Sequence, residues 1–191
     1  DLNNFSYCTG DDAVQTIGSN TSLGQMSPRN LLVTTIGDEL RLATNFRSKV
    51  IGIAIKDRGA ILPAGHSGNG AYWYDNKTGD WISSSYYIKE LPKWVKELNA
   101  RKLVDKYYAT DWTTLYPLNT YEQSAPNASV FNHPLKQFVT KNYGIIAATP
   151  FGNTLTFEAA MAAVTGEKMG DDDNTDMLTV SLSSPDYIGH A

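Results

Sequence analysis

Lys49-Val50-Ile51-Gly52-Ile53-Ala54-Ile55-Lys56 is a β-rich, nearly continuous apolar run. Such a run, unlike an alternating one, is the pattern of a central strand covered on both faces. Upstream of it, Leu31, Leu32, Ile36, Leu40 and Ala43 recur at helical spacing. Ser27-Pro28 offers a cap and a proline for the first turn, so an amphipathic helix is predicted over about 28–44, weakened slightly by Gly37. Downstream, Ala71-Tyr72-Trp73-Tyr74 and Trp81-Ile82-Ser83-Ser84-Ser85-Tyr86 flank a turn-rich Asp75-Asn76-Lys77-Thr78-Gly79-Asp80. Two β-formers around such a turn predict a hairpin. Trp94, Val95 and Leu98 share one face of a helix predicted over about 92–101, and an Ala-rich helix is predicted over about 153–165, closed by Gly166. Residues 105–134 hold aromatics, prolines and asparagines without a period, which predicts a long surface excursion. Residues 135–138 suggest a short helical turn. Residues 1–26 read as an irregular arm with short extended pieces over 5–8 and 14–17.

The other decisive run is Met177-Leu178-Thr179-Val180-Ser181-Leu182-Ser183-Ser184-Pro185-Asp186-Tyr187-Ile188-Gly189-His190. It reads as a second buried strand that delivers polar residues at its C-terminal end, where open α/β sheets place their ligands. The element order gives an α/β class in layers. Two buried strands are too few for a complete sheet, and the chain stops one residue past His190. The expectation is therefore a single partial domain over 1–191, an internal piece of a longer protein, with a hairpin and cap-like insertion over 66–134.

Composition narrows the function. With 41% hydrophobic and 19% charged residues, the 191-residue chain can build a packed core. Lys+Arg 16 against Asp+Glu 20 gives net charge -4, which disfavours a duplex nucleic-acid binder. No stretch approaches the ~20 apolar residues of a membrane span. One Cys excludes an intramolecular disulfide and zinc folds built on several cysteines. The sequence assigns no oligomeric state.

Two pairs of residues stand where chemistry belongs. Asp186 and His190 lie four apart, so both face one point if the segment turns helically after its strand. A carboxylate and an imidazole suit zinc, manganese or a similar ion; the alternative is an ordinary turn opened by Ser-Pro-Asp. Two ligands do not complete a tetrahedral site, and no other His or Cys cluster offers the rest. Lys56 and Arg58 stand at the C-terminal end of the first buried strand. Together they suit an anionic group, Arg as a bidentate fork and Lys as a point charge; the alternative is cations leaving a strand for solvent. Asp57 between them either orients Arg58 or balances the charge.

Other features carry less. His66 sits in a Gly-rich loop and is expected to make a loop hydrogen bond. His133 is expected at the surface, and Cys8 as a structural or free thiol. Thr34 and Thr35 fall inside a predicted helix. Asp171, Asp172, Asp173 and Asp176 lack the calcium-loop pattern and read as a solvated turn. Tyr72, Trp73, Tyr74, Trp81, Tyr86 and Tyr87 either pack as cross-strand pairs or form a stacking platform for sugars or bases.

The run from Ser48 to His66, the segment Leu31–Thr35 with Gly37-Asp38-Glu39-Leu40, and Ala71-Tyr72-Trp73-Tyr74-Asp75 leading into Trp81-Ile82 resemble a bacterial family. These are the phosphate-irrepressible alkaline phosphatases, on the nucleotide pyrophosphatase/phosphodiesterase-like branch of the alkaline phosphatase superfamily. Ser184-Pro185-Asp186-Tyr187-Ile188-Gly189-His190 is similar to that branch's Pro-Asp-x-x-Gly-His metal motif. The resemblance runs from about residue 6 to the end of the chain. It implies an alkaline-phosphatase-like α/β/α layering with an inserted β-hairpin and an aromatic-rich excursion. It implies a periplasmic or secreted zinc-dependent phosphomonoesterase. Asp186 and His190 would be ligands of one zinc in a two-zinc site. Lys56 and Arg58 would hold the non-transferred oxygens of a phosphate monoester. The family's Thr nucleophile and its other metal ligands have no counterpart here, so the isolated chain is expected to be inactive and to bind zinc poorly alone. The alternatives are a phosphodiesterase or nucleotide pyrophosphatase of the same superfamily, and a non-catalytic module that binds ligands through the aromatic hairpin.

Overall fold

The computed structural model describes residues 6–121 and 131–190. The first five residues of the expected arm, residues 122–130 of the expected excursion and Ala191 lie outside them. The regular elements are β1 (Thr16–Ile17), α1 (Ile36–Ala43), β2 (Val50–Ala54), α2 (Asp57–Ala64), β3 (Gly70–Asp75), β4 (Asp80–Ser84), α3 (Lys93–Ala100), α4 (Leu103–Tyr108), α5 (Pro150–Gly166), β5 (Met177–Ser181) and α6 (Ser184–Gly189). Short 3-10 turns cover Leu118–Thr120, Lys136–Phe138 and Tyr143–Ala148.

The run over 49–56 becomes β2, and all five of its residues are buried. It lies between two parallel partners, β3 and β5, in a mixed sheet of order β1-β4-β3-β2-β5. The expected hairpin is β3–β4, and it extends this sheet: β3 runs parallel to β2 and β4 returns antiparallel. The two runs read as buried strands, the hairpin and β1 thus form one sheet of five strands. Registers Ala54↔Trp73 and Ala54↔Ser181 set the C-terminal ends of β2, β3 and β5 side by side along one edge of the layer.

Helices cover both faces. On one side Ile51, Ile53, Tyr72, Tyr74 and Trp81 pack with Trp94, Val95 and Leu98 of α3 and Leu155, Ala159 and Ala163 of α5. On the other, Ala54, Ala71, Trp73 and Ile82 meet Ala60, Ile61 and Ala64 of α2. This is the expected α/β/α layering. The approach of α2 is close: a Cβ on Gly52 would stand 2.0 Å from the Ala60 carbonyl oxygen.

Four local expectations are corrected. The helix predicted over 28–44 is only α1, starting at Ile36. Ser27 is not its cap; its hydroxyl donates to Asp11 Oδ2 at 2.6 Å. Thr35 caps it instead, in a reciprocal box with Asp38, and Leu32 upstream is 92% exposed. The segment over 56–61, given no secondary structure in sequence, opens α2. Gly59 and Pro63 argue against a helix in sequence, but Gly59 lets this one pack against Ala54 and Ser181. The Ala-rich helix starts at Pro150 rather than Asn153, with proline in its first turn. Finally, β5 is half-buried rather than buried, with Val180 36% exposed, because it pairs on one side only among the described residues. In the arm, the described part of 5–8 forms no strand, while β1 falls inside the expected 14–17.

Candidate active site

Lys56 is the last extended residue after β2 and caps the start of α2. Asp57 and Arg58 are the first two helical residues. A strand that turns at once into a helix leaves three consecutive polar side chains at the sheet's C-terminal edge. The parallel neighbour β5 does the same. After Ser183 it turns into α6, and Asp186 and His190 fall one helical turn apart. The helical turn on which their convergence depended is present, and Asp186 Oδ1 stands 3.3 Å from His190 Nε2.

The two pairs meet. Lys56 Nζ donates to Asp186 Oδ2, across 130 positions of sequence. The same ammonium lies 4.4 Å from the centre of the Tyr187 ring. Lys56 keeps 18% of its side chain exposed, and Asp186 keeps 52%. The Lys56 hydrogen bond and charge hold the Asp186 carboxyl below its usual pKa.

Asp57 does not pair with Arg58 directly. Its carboxylate accepts from Tyr7 Oη at 3.0 and 3.1 Å and from Thr9 Oγ1 at 2.9 Å. Arg58 Nη1 donates to Tyr7 Oη at 3.2 Å. The hydrogen bond from Arg58 to Tyr7 raises the guanidinium's already high pKa, so Arg58 is a permanent cation. A cavity of about 130 Å³ lies beside these groups, lined by Tyr7, Lys56, Arg58, Asn76 and Tyr187 among others. Tyr7 and Thr9 were missed in sequence. They belong to an arm without periodicity or motif, and only the fold brings Tyr7 to a partner 50 residues away.

The remaining expectations resolve simply. His66 latches a loop, its Nε2 2.9 Å from the Leu31 carbonyl oxygen and its Nδ1 3.3 Å from Asp38 Oδ2. His133 is exposed and packs against Trp112 and Phe131. Cys8 is a free, exposed thiol. Asp172 accepts from Asn174 and Asp176 from the Lys49 and Gly170 amides, as turn carboxylates do. Tyr72, Trp73, Tyr74 and Trp81 are at most 5% exposed and pack the core, while Tyr86, 38% exposed, meets Tyr87 edge-on and donates its hydroxyl to the His66 carbonyl. Thr35 is a helix cap with its hydroxyl engaged by Asp38.

Asp186 and His190 fit part of a zinc ligand set: a carboxylate and an imidazole, exposed and converging from one helical turn. Among the described residues no group of three or more His, Cys, Asp or Glu gathers that would hold a metal alone.

No protein-family model matches the chain. Its relatives are nonetheless clear. It is 54% identical to alkaline phosphatase PhoV of Synechococcus elongatus over 96% of its own length and 36% of that protein's. It is 53% identical to a Myroides odoratus protein named a calcium-transporting ATPase, again over 96% and 36%. Alkaline phosphatase PafA of Elizabethkingia meningoseptica is 48% identical, over 100% and 37%. The crystal structure of wild-type PafA superposes with TM-score 0.92 at 47% identity, over 97% of this chain and 38% of that one. A PafA variant with one Thr, one Asn, one Lys and one Arg substituted superposes equally well, and its substituted Lys and Arg lie two positions apart. The chain spans a little over a third of the length of the relatives it matches. By sequence and by fold, the chain is similar to a little over a third of the alkaline phosphatases PhoV and PafA.

Proposed function

We propose that this chain is the phosphate-gripping part of a zinc-dependent phosphomonoesterase that works in the periplasm or outside the cell. The observation that carries the reading is the meeting of Lys56 with Asp186 at the ends of two adjacent parallel strands. It supports reading these side chains as one site, an oxyanion grip beside a pair of metal ligands. The spacing of Lys56 and Arg58 equals that of the Lys and Arg substituted together in the PafA variant, which supports a shared role.

Phosphoryl transfer asks a protein mainly for position and for charge. Arg58 offers a planar fork to two equatorial oxygens and Lys56 a mobile point charge. Asp186 and His190 would hold the zinc, and Lys56, no longer paired with Asp186, would be free to hold a phosphoryl oxygen. Zinc, when bound, supplies Lewis-acid stabilisation of charge on the reacting oxygens. Two cations suit the dianionic end of a monoester better than a diester, which has one fewer charged oxygen. This favours a phosphomonoesterase over a phosphodiesterase or nucleotide pyrophosphatase. The burial of the hairpin aromatics counts against a glycan- or base-binding module.

The Thr nucleophile and the remaining metal ligands belong, in this reading, to parts of the complete enzyme outside this chain. In the complete enzyme, Asp186→Ala should lower bound zinc, measured by atomic spectrometry, and reduce 4-nitrophenyl phosphate turnover at least about 100-fold, the usual scale for losing a principal electrostatic group. The 191-residue chain alone should show no zinc-dependent turnover above its own Asp186→Ala control. Unchanged zinc content and turnover in the complete variant, or turnover by the chain alone, would refute the assignment.

A further inference from the structure

We propose that Tyr7 is a positioning residue for Arg58, holding the guanidinium in place for an oxyanion through a relay from Asp57. The inference rests on the reading of Lys56 and Arg58 as the grip. Arg58 is exposed, and among the described residues its guanidinium has a single hydrogen-bond partner, Tyr7 Oη. A free Arg side chain carries considerable rotamer entropy and loses it when an anion binds. A group that orders it beforehand removes that cost.

Tyr7 is equipped for this. Its hydroxyl spends its proton on the Asp57 carboxylate and offers its lone pairs to Arg58. The direction of each bond is fixed, because Arg58 only donates and ionised Asp57 only accepts. The negative charge of Asp57 thus reaches Arg58 through a neutral oxygen. Direct pairing with a carboxylate would engage the fork that phosphate needs; a single bond to a phenol leaves the other N–H groups open. Thr9 Oγ1 steadies the other side of the relay by donating to Asp57, and Thr9 is fully buried. The backbone around Tyr7 is tied down in turn. Its carbonyl accepts from the Gly10 amide and from Asn30 Nδ2, and the Thr9 carbonyl accepts from the Ser27 amide. Burial, then the Asp57 charge, raises the Tyr7 pKa from its ordinary value, which favours the protonated phenol that the relay needs.

The experiment uses the 191-residue chain, ¹⁵N-labelled, with inorganic phosphate as the probe. Two quantities are read: the relaxation of the Arg58 Nε–H group, and the phosphate dissociation constant from shifts of the same signal or of Lys56. Tyr7→Phe should leave the circular dichroism spectrum unchanged, increase Arg58 side-chain mobility and weaken phosphate about fivefold, the scale of one hydrogen bond. In an Arg58→Ala background the same substitution should cost nothing further. Tyr7→Phe with unchanged mobility and affinity, or with an equal loss in the Arg58→Ala background, would overturn the positioning role and leave the grip intact. Phosphate affinity unaltered by Lys56→Ala with Arg58→Ala would instead remove the grip itself, and this inference with it. If Tyr7→Phe does not fold, Asp57→Asn tests the same relay. It should loosen Arg58 and weaken phosphate about twofold, through a weaker bond to the Tyr7 hydroxyl; no change in either quantity would count against the relay.

Discussion

Asp38 stands in the first turn of α1, 3% exposed, and gathers the loop that follows α2. Its carboxylate accepts from the Ser67 amide at 2.7 Å, the Ser67 hydroxyl at 2.8 Å and the Thr35 amide at 3.0 Å. Burial works to raise its pKa, but the Ser67 and Thr35 hydrogen bonds outweigh it and hold the carboxyl well below the usual range. A depressed folded-state pKa means that the unfolded chain binds the proton first as pH falls. The stability Asp38 supplies is therefore complete above about pH 4 and is lost as the pH drops toward its folded value. Asp38→Asn should cost about 2 kcal/mol at pH 7, from charge-assisted bonds weakened in a buried site. The gap between wild type and variant in urea melts should narrow steadily as the pH falls below about 4. A gap that stays constant over that range would contradict the assignment. At this scale Lys56, Arg58, Asp186 and His190 were legible in sequence because each follows a recognisable strand. Tyr7 was not, since nothing within Tyr7-Cys8-Thr9 indicates a partner at Asp57.

Among the elements, β2 and α2 are joined without a linker, and that junction builds the site. The strand was legible because Val50 to Ile55 is apolar throughout. The helix was not, because Gly59 and Pro63 lower its intrinsic propensity. Packing reverses that judgement. Gly52 exposes bare backbone to the Ala60 carbonyl, and Gly59 admits Ala54 and the Ser181 side chain. Gly59, which weakens α2 as an isolated helix, and Gly52 of β2 together let that helix lie flat on the sheet and aim Lys56 and Arg58 past its edge. Gly52→Ala should therefore cost about 2–3 kcal/mol in chemical denaturation, the range of an overpacked core. A loss below 0.5 kcal/mol, at the level of roughly neutral surface changes, would show that α2 can retreat freely. The α1 start was misread for a related reason. Ser27-Pro28 has the composition of a helix start, but Ser27 is committed to Asp11, and the Thr35–Asp38 box takes over.

For the whole molecule, the decisive event is the pairing of β2 with β5, segments more than a hundred residues apart. The register Ala54↔Ser181 carries Lys56 to Asp186, and both follow strand ends that a parallel sheet leaves facing the same way. The layering and both strands of this pair were readable from hydrophobic pattern. Their adjacency was not, because parallel strands carry no turn signal that names their partner. The central claim is that the grip serves a monoester. It is tested most directly in the complete enzyme, by kcat/KM for 4-nitrophenyl phosphate and for bis(4-nitrophenyl) phosphate before and after the double change Lys56→Ala with Arg58→Ala. The account predicts a loss of roughly 100-fold or more on the monoester and about 10-fold or less on the diester; an equal loss on both substrates would contradict it.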